Sequence, residues 1–226
     1  VKKTLSSDFL TQGPIVNKFE KKLSKKLNVK YAIACSTGTS ALHLSCQALK
    51  LKKNDIVWST PVTFVASANA ALLCGAKINL IDIDKDDWNI DVDLLKRKLE
   101  TIKKKFHPKI LIVVHLGGLS CDMHKLRNLS KKYKFKIIED ACHGIGGSFR
   151  NHKIGSCKYS DISTFSFHPV KNMTTGEGGA ITTNSKKLSE YIKRLRHHGI
   201  KRKNQYIYDV KYISNNYRLS DISCSL

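Results

Sequence analysis

No apolar run in the sequence approaches the ~20 residues that would cross a bilayer, so no membrane association is expected. The start, Val1-Lys2-Lys3, lacks both an initiator Met and the apolar core of a signal peptide. No pair of the seven cysteines has CxxC spacing, and their number is odd, which argues against a disulfide framework or a zinc site. They read as small buried hydrophobes in a reducing compartment, so the expected location is cytoplasmic. Internal repeats and low-complexity linkers are absent too. Acidic residues are scarce, 18 against 40 basic, which leaves a net charge of +22. Arginine is scarcer still. The lysines are dispersed over expected outer helix faces, as in Lys21-Lys22 and Lys103-Lys104-Lys105, without aromatic interleaving. The charge therefore reads as a solvated surface, with no nucleic-acid partner expected, although a basic surface can still attract an anionic small molecule.

What is present is enough apolar content, 41% of 226 residues, for one substantial core. Helical and strand patterns alternate along it. Val16, Phe19, Leu23 and Leu27 follow helical spacing, and Tyr31 to Cys35 reads as a short buried strand. Helices are expected from Thr39 to Lys50, from Phe64 to Cys74 with Gly75 as the stop, from Val92 to Lys104, from Met123 to Tyr133 and from Lys186 to His197. Strands are expected at 56–58, 78–81, 110–115, 135–138, 162–167 and 180–183. The run from Ile110 to His115 is continuously apolar, as a sheet covered on both faces requires. The order βαβα predicts an α/β fold with a central, mainly parallel sheet between helices. Near the end, Asn216 to Ile222 leads into Ser223-Cys224-Ser225-Leu226 and reads as a helix start with Ser220 as N-cap. Both ends read as truncations, so residues 1–226 are expected to be a fragment of a longer protein.

In such sheets ligands gather beyond the carboxyl ends of the strands. The polar residues that fall there are Ser36-Thr37-Gly38-Thr39, Thr60-Pro61, His115, Glu139-Asp140 and Ser166 to Lys171, and three of these groups point to a chemistry. Ser36-Thr37-Gly38-Thr39 is a turn into a helix, whose free N–H groups and dipole suit a phosphate; an ordinary N-cap turn has the same appearance. Asp140 follows the apolar strand directly. A carboxylate there can keep a pyridinium nitrogen protonated, or can be a cap or a loop ion pair. Lys171 closes Phe165-Ser166-Phe167-His168-Pro169-Val170-Lys171, just before Gly176-Glu177-Gly178-Gly179. A lysine held after a strand in this way can form a Schiff base, and Ser166 can add a hydroxyl to a phosphate.

These motifs, with Ser36 to Leu44, Thr60-Pro61-Val62-Thr63-Phe64-Val65-Ala66 and Ile138-Glu139-Asp140-Ala141-Cys142-His143-Gly144, occur in the order of a known family. The chain resembles the DegT-group nucleotide-sugar aminotransferases over essentially its whole length. The resemblance implies the large domain of a pyridoxal-phosphate-dependent transferase of aspartate-aminotransferase-like fold, without the family's smaller C-terminal domain. It implies pyridoxal 5'-phosphate as cofactor, with Lys171 as the Schiff-base lysine and Asp140 on the ring nitrogen. Gly38, Thr39 and Ser166 would hold the phosphate. Phe64 matches an aromatic that stacks on the ring, although periodicity alone fits a helix-core residue equally well. His143 matches a histidine beside the cofactor, where a structural histidine is the default alternative. Asn216 matches a residue that reaches the phosphate of the partner subunit in a homodimer.

Within the family, Phe167 to Lys171, Leu195-Arg196-His197-His198-Gly199-Ile200, Tyr208-Asp209-Val210 and Asn216 to Asp221 are similar to the transaminases of pseudaminic acid synthesis. That resemblance implies a UDP-linked 4-keto-6-deoxy-N-acetylhexosamine as acceptor and L-glutamate as amino donor. Another family member's keto-sugar is the alternative, because sugar choice lives in pocket details. Relatives that dehydrate sugars carry histidine in place of the lysine, and Lys171 argues against that chemistry. A basic nucleic-acid-binding or regulatory α/β protein remains the rival from another class; it predicts no cofactor absorbance.

Overall fold

The computed structural model describes residues 1–204 and 206–226. Its elements in chain order are α1 (Lys2–Leu5), α2 (Pro14–Leu27), β1 (Tyr31–Cys35), α3 (Gly38–Ala48), β2 (Ile56–Ser59), α4 (Ala66–Leu72), β3 (Lys77–Leu80), α5 (Val92–Thr101), β4 (Ile110–Val114) and α6 (Met123–Tyr133). Then follow β5 (Lys136–Asp140), β6 (Ser148–Phe149), β7 (His152–Lys153), β8 (Ile162–Ser166), β9 (Gly179–Thr183), α7 (Lys186–Leu195), β10 (Ile200–Arg202), β11 (Tyr208–Val210) and α8 (Asp221–Cys224).

One seven-stranded sheet runs in the order β1-β9-β8-β5-β4-β2-β3. The five strands from β8 to β3 are parallel to one another, whereas β9 is antiparallel to both β8 and β1. Both faces are covered, and β4 shows how the sequence encodes this. Side chains alternate across a strand, so its unbroken apolar run feeds two cores. Ile110 and Ile112 pack with Leu42 of α3 and Ala66, Ala70 and Ala71 of α4. Leu111 and Val113 pack with Leu95 and Leu99 of α5 and Met123, Leu126 and Leu129 of α6. The small residues of α4 let that helix sit close to the sheet. Helix α2 covers the β1-β9-β8 end, where Leu23 and Leu27 meet Phe165 and Ala180. Burial of most of the seven cysteines, all free thiols, fits their expected part as small hydrophobes; burial pushes the Cys35 thiol up to about 11. Among the described residues no helix is long and apolar enough to cross a membrane.

The structure moves several expected boundaries. Helix α4 begins at Ala66, not Phe64, which leaves Phe64 in the preceding turn and 72% exposed. Helix α5 ends at Thr101, where Ile102 turns extended, and α3 ends at Ala48, before Lys50 takes a left-handed conformation. Strand β5 runs on to Asp140, because backbone pairing to Val113 and Val114 continues past the apolar residues. Ser220 caps α8 as expected, accepting a hydrogen bond from the Ser223 N–H at 3.0 Å.

Candidate active site

The carboxyl ends of β1, β4, β5 and β8 open into a cavity of about 380 Å³. Seven of the residues singled out from sequence line it: Gly38, Thr39, Phe64, Asp140, His143, Ser166 and Lys171. Asn216 is not among them. It is exposed, forms an isolated bridge with His197, and its side-chain oxygen accepts the Arg218 N–H at 3.3 Å.

Helix α3 supplies one wall. Thr37 and Ser40 form a capping box, each side chain taking the other's backbone N–H at 3.0 Å. This fixes the first turn and leaves the N–H groups of Gly38 and Thr39 without intrahelical partners at the positive end of the helix dipole. Gly38 is a glycine for steric reasons. A Cβ there would lie 2.8 Å from Ser166 Cβ and 3.3 Å from Cys142 Sγ, filling the space in front of the helix end.

Asp140 ends β5, almost fully buried. Its Oδ2 accepts the Ser67 hydroxyl at 2.6 Å and its Oδ1 the Cys142 N–H at 3.3 Å. Burial, reinforced by the Asp140 charge, pushes the Cys142 thiol well above its ordinary value, which disfavours the nucleophilic thiolate. Beneath the site, the buried His115 places Nε2 3.0 Å from Glu139 Oε2, and its backbone N–H donates to the Asp140 carbonyl at 3.1 Å.

Lys171 stands in the connection 167–178 between the antiparallel strands β8 and β9. The Lys171 N–H bonds to His168 O, and Thr175 N–H returns to Phe167 O, which closes this connection on itself. The lysine is half-buried rather than fully buried, and its Nζ lies 2.8 Å from His143 Nε2. On the other side of the ring, the Gly117 N–H donates to His143 Nδ1 at 3.3 Å. A protonated ring would turn an N–H toward the Gly117 donor, and the pKa of His143 is lowered from 6.5 by burial first and by the charge of Lys171 second. His143 thus contacts the lysine and is not a buried packing residue. Phe64 stands exposed at the cavity mouth, which excludes the helix-core reading of that residue.

Ser67 was not legible as a site residue. It lies one position beyond the Thr60 to Ala66 string, in a helix of alanines, and it meets Asp140 only because α4 packs on the sheet. Thr63, which contacts Ser67 at 3.0 Å, was passed over in the same way.

The mainly parallel sheet, with this cavity beyond its strand ends, is the large-domain fold of pyridoxal-phosphate-dependent transferases, as the structural likenesses below establish. The chain belongs to the DegT/DnrJ/EryC1/StrS aminotransferase family, whose model matches residues 1–226. It is 45% identical over 224 residues to the UDP-4-amino-4,6-dideoxy-N-acetyl-beta-L-altrosamine transaminase of Campylobacter jejuni, a match that covers 99% of this chain and 58% of that protein. Among solved structures it is similar to Helicobacter pylori PseC, an aminotransferase involved in the biosynthesis of pseudoaminic acid. The TM-score is 0.90 at 33% identity, over 99% of this chain and 59% of that one. NtdA from Bacillus subtilis, with bound cofactor PMP, gives a TM-score of 0.89 at 33% identity, over 99% and 49%. The chain thus spans about half to three fifths of the length of these relatives.

Proposed function

We propose that the full-length protein is a pyridoxal-phosphate-dependent aminotransferase. It moves the amino group of L-glutamate to a UDP-linked 4-keto-6-deoxy-N-acetylhexosamine, in pseudaminic-acid-type sugar synthesis. Residues 1–226 are its cofactor-binding large domain. The observation that carries this reading is the convergence of Lys171, Asp140 and the N-terminus of α3 on one cavity. These residues fit the cofactor. Gly38 allows the α3 N-terminus to approach Ser166 where a Cβ would clash, and that helix end lines the cavity together with Ser166.

When bound, the cofactor's protonated ring supplies an electron sink for charge developing on a substrate carbon. The chain's own residues do the rest. Asp140 would hold the proton on the ring nitrogen. Gly38, Thr39 and Ser166 would bind the phosphate. Phe64 would shield the ring from water, and His143 would steady the Lys171 amine. The Lys171 amine would hold the cofactor as a Schiff base and, once displaced by the amino donor, would serve as the base and then the acid of the proton transfer. The same residues would serve the keto-sugar half of the reaction. The basic surface draws the anionic nucleotide toward the cavity. Asn216, exposed and outside this cavity, reaches the phosphate of a second subunit in a homodimer, and the enzyme works in the cytoplasm.

Incubation of the full-length protein with pyridoxal phosphate, L-glutamate and the UDP-4-keto-sugar tests the reading. An aminated UDP-sugar and 2-oxoglutarate are expected in equal amounts. Cofactor uptake with amination only of a differently linked keto-sugar would overturn the substrate assignment, and no uptake at all would overturn the enzyme.

A further inference from the structure

Ser67 is fully buried in the first turn of α4. Its hydroxyl reaches across to Asp140 Oδ2 at 2.6 Å, the short length of a hydrogen bond to a carboxylate. Its direction is fixed. A carboxylate only accepts, so the single Ser67 proton goes to Asp140, and the 3.0 Å contact with Thr63 Oγ1 has Thr63 as donor. The chain Thr63 to Ser67 to Asp140 is therefore a one-way relay of hydroxyl dipoles. It ties the turn that carries Phe64 to the carboxylate at the end of β5.

We infer that Ser67 is a positioning residue: its hydroxyl occupies one oxygen of Asp140 and so sets the rotation of the carboxylate that faces the cofactor's ring nitrogen. The inference rests on the proposed aminotransferase reading. Without this donor, the Asp140 carboxylate loses its short 2.6 Å bond and is left with the longer one from Cys142 N–H, at 3.3 Å, and the neighbouring Cys142 thiol, so its rotation is held less tightly.

The test uses the full-length protein loaded with pyridoxal phosphate labelled with ¹⁵N at the ring nitrogen. Ser67→Ala removes one hydroxyl from a helix of alanines and should keep the fold. It should shift the ring-nitrogen resonance and lower kcat about tenfold, with the KM for the amino donor within about twofold of wild type. Ser67→Thr, which restores the hydroxyl, should recover both. A Ser67→Ala enzyme with the wild-type resonance and kcat would overturn the inference. So would a Ser67→Thr enzyme as impaired as Ser67→Ala, since that is the mark of packing alone. If the wild-type protein takes up no cofactor, the aminotransferase reading itself falls; if it loads normally and Ser67→Ala is silent, only this inference falls.

Discussion

Lys171 Nζ and His143 Nε2 stand 2.8 Å apart, although 28 residues separate them in the chain. The contact joins the connection after β8 to the loop after β5, two segments that meet only because those strands are neighbours in the sheet. Burial and the adjacent lysine lower the pKa of His143 from 6.5, so in the cofactor-free protein its NMR titration should have a midpoint below that value. Because the folded-state pKa is depressed, the stability this neutral ring contributes is complete above pH 6.5 and is lost as pH falls through the folded midpoint. Lys171→Met should move the His143 midpoint back upward; an unmoved midpoint would show that the two groups do not interact.

Gly38→Ala should weaken cofactor binding while leaving the fold intact. Alanine is the better helix former, so the substitution alone would favour α3. The added Cβ, however, would lie 2.8 Å from Ser166 Cβ, at the wall of the cavity, so Ser166 must shift. A loss of about tenfold or more in pyridoxal phosphate affinity is expected, together with an overpacking cost of about 1–3 kcal/mol in stability. Unchanged affinity in an equilibrium titration would remove Gly38 from the phosphate site.

Asp221 should matter for stability rather than chemistry. Helix α2 has Gly13 as its N-cap, which offers no side-chain cap of its own. The fully buried Asp221 supplies one from the far end of the chain, accepting the N–H groups of Gly13 at 2.7 Å, Ile15 at 2.9 Å and Val16 at 3.4 Å. Asp221→Ala leaves those donors buried and unpaired, at a cost of about 2–4 kcal/mol. Denaturant unfolding measures it, and a loss of a few tenths of a kcal/mol would contradict the capping role.

Much of the fold was legible because apolar runs are sharply punctuated. Strand β1 and helix α6 lie at their expected residues, and Lys171, Asp140 and Gly38 fall on strand ends or their following turns as expected. The sheet order was not legible. The placement of β9 between β1 and β8, antiparallel to both, depends on pairings such as Tyr31 with Thr183, which no local pattern carries. The hairpin β6–β7 went unread because Arg150 and Asn151 make its turn with positive φ and without glycine. Phe64 was read as the start of a helix because Phe64-Val65 continues the apolar pattern of α4, yet that helix begins only after the turn that exposes the ring. Ser67 stayed hidden for a different reason: its partner is 73 residues away, and serine in a helix of alanines carries no mark of where it points.

Lys171 is proposed as the amine that would hold the cofactor. Borohydride reduction of the full-length protein loaded with pyridoxal phosphate, followed by peptide mapping, tests it directly. The account predicts that the label falls on Lys171, and that Lys171→Ala and Lys171→Arg carry no label and no turnover, since a guanidinium is neither a usable nucleophile nor a base at neutral pH. A label on another lysine, such as Lys153 or Lys158, would contradict it.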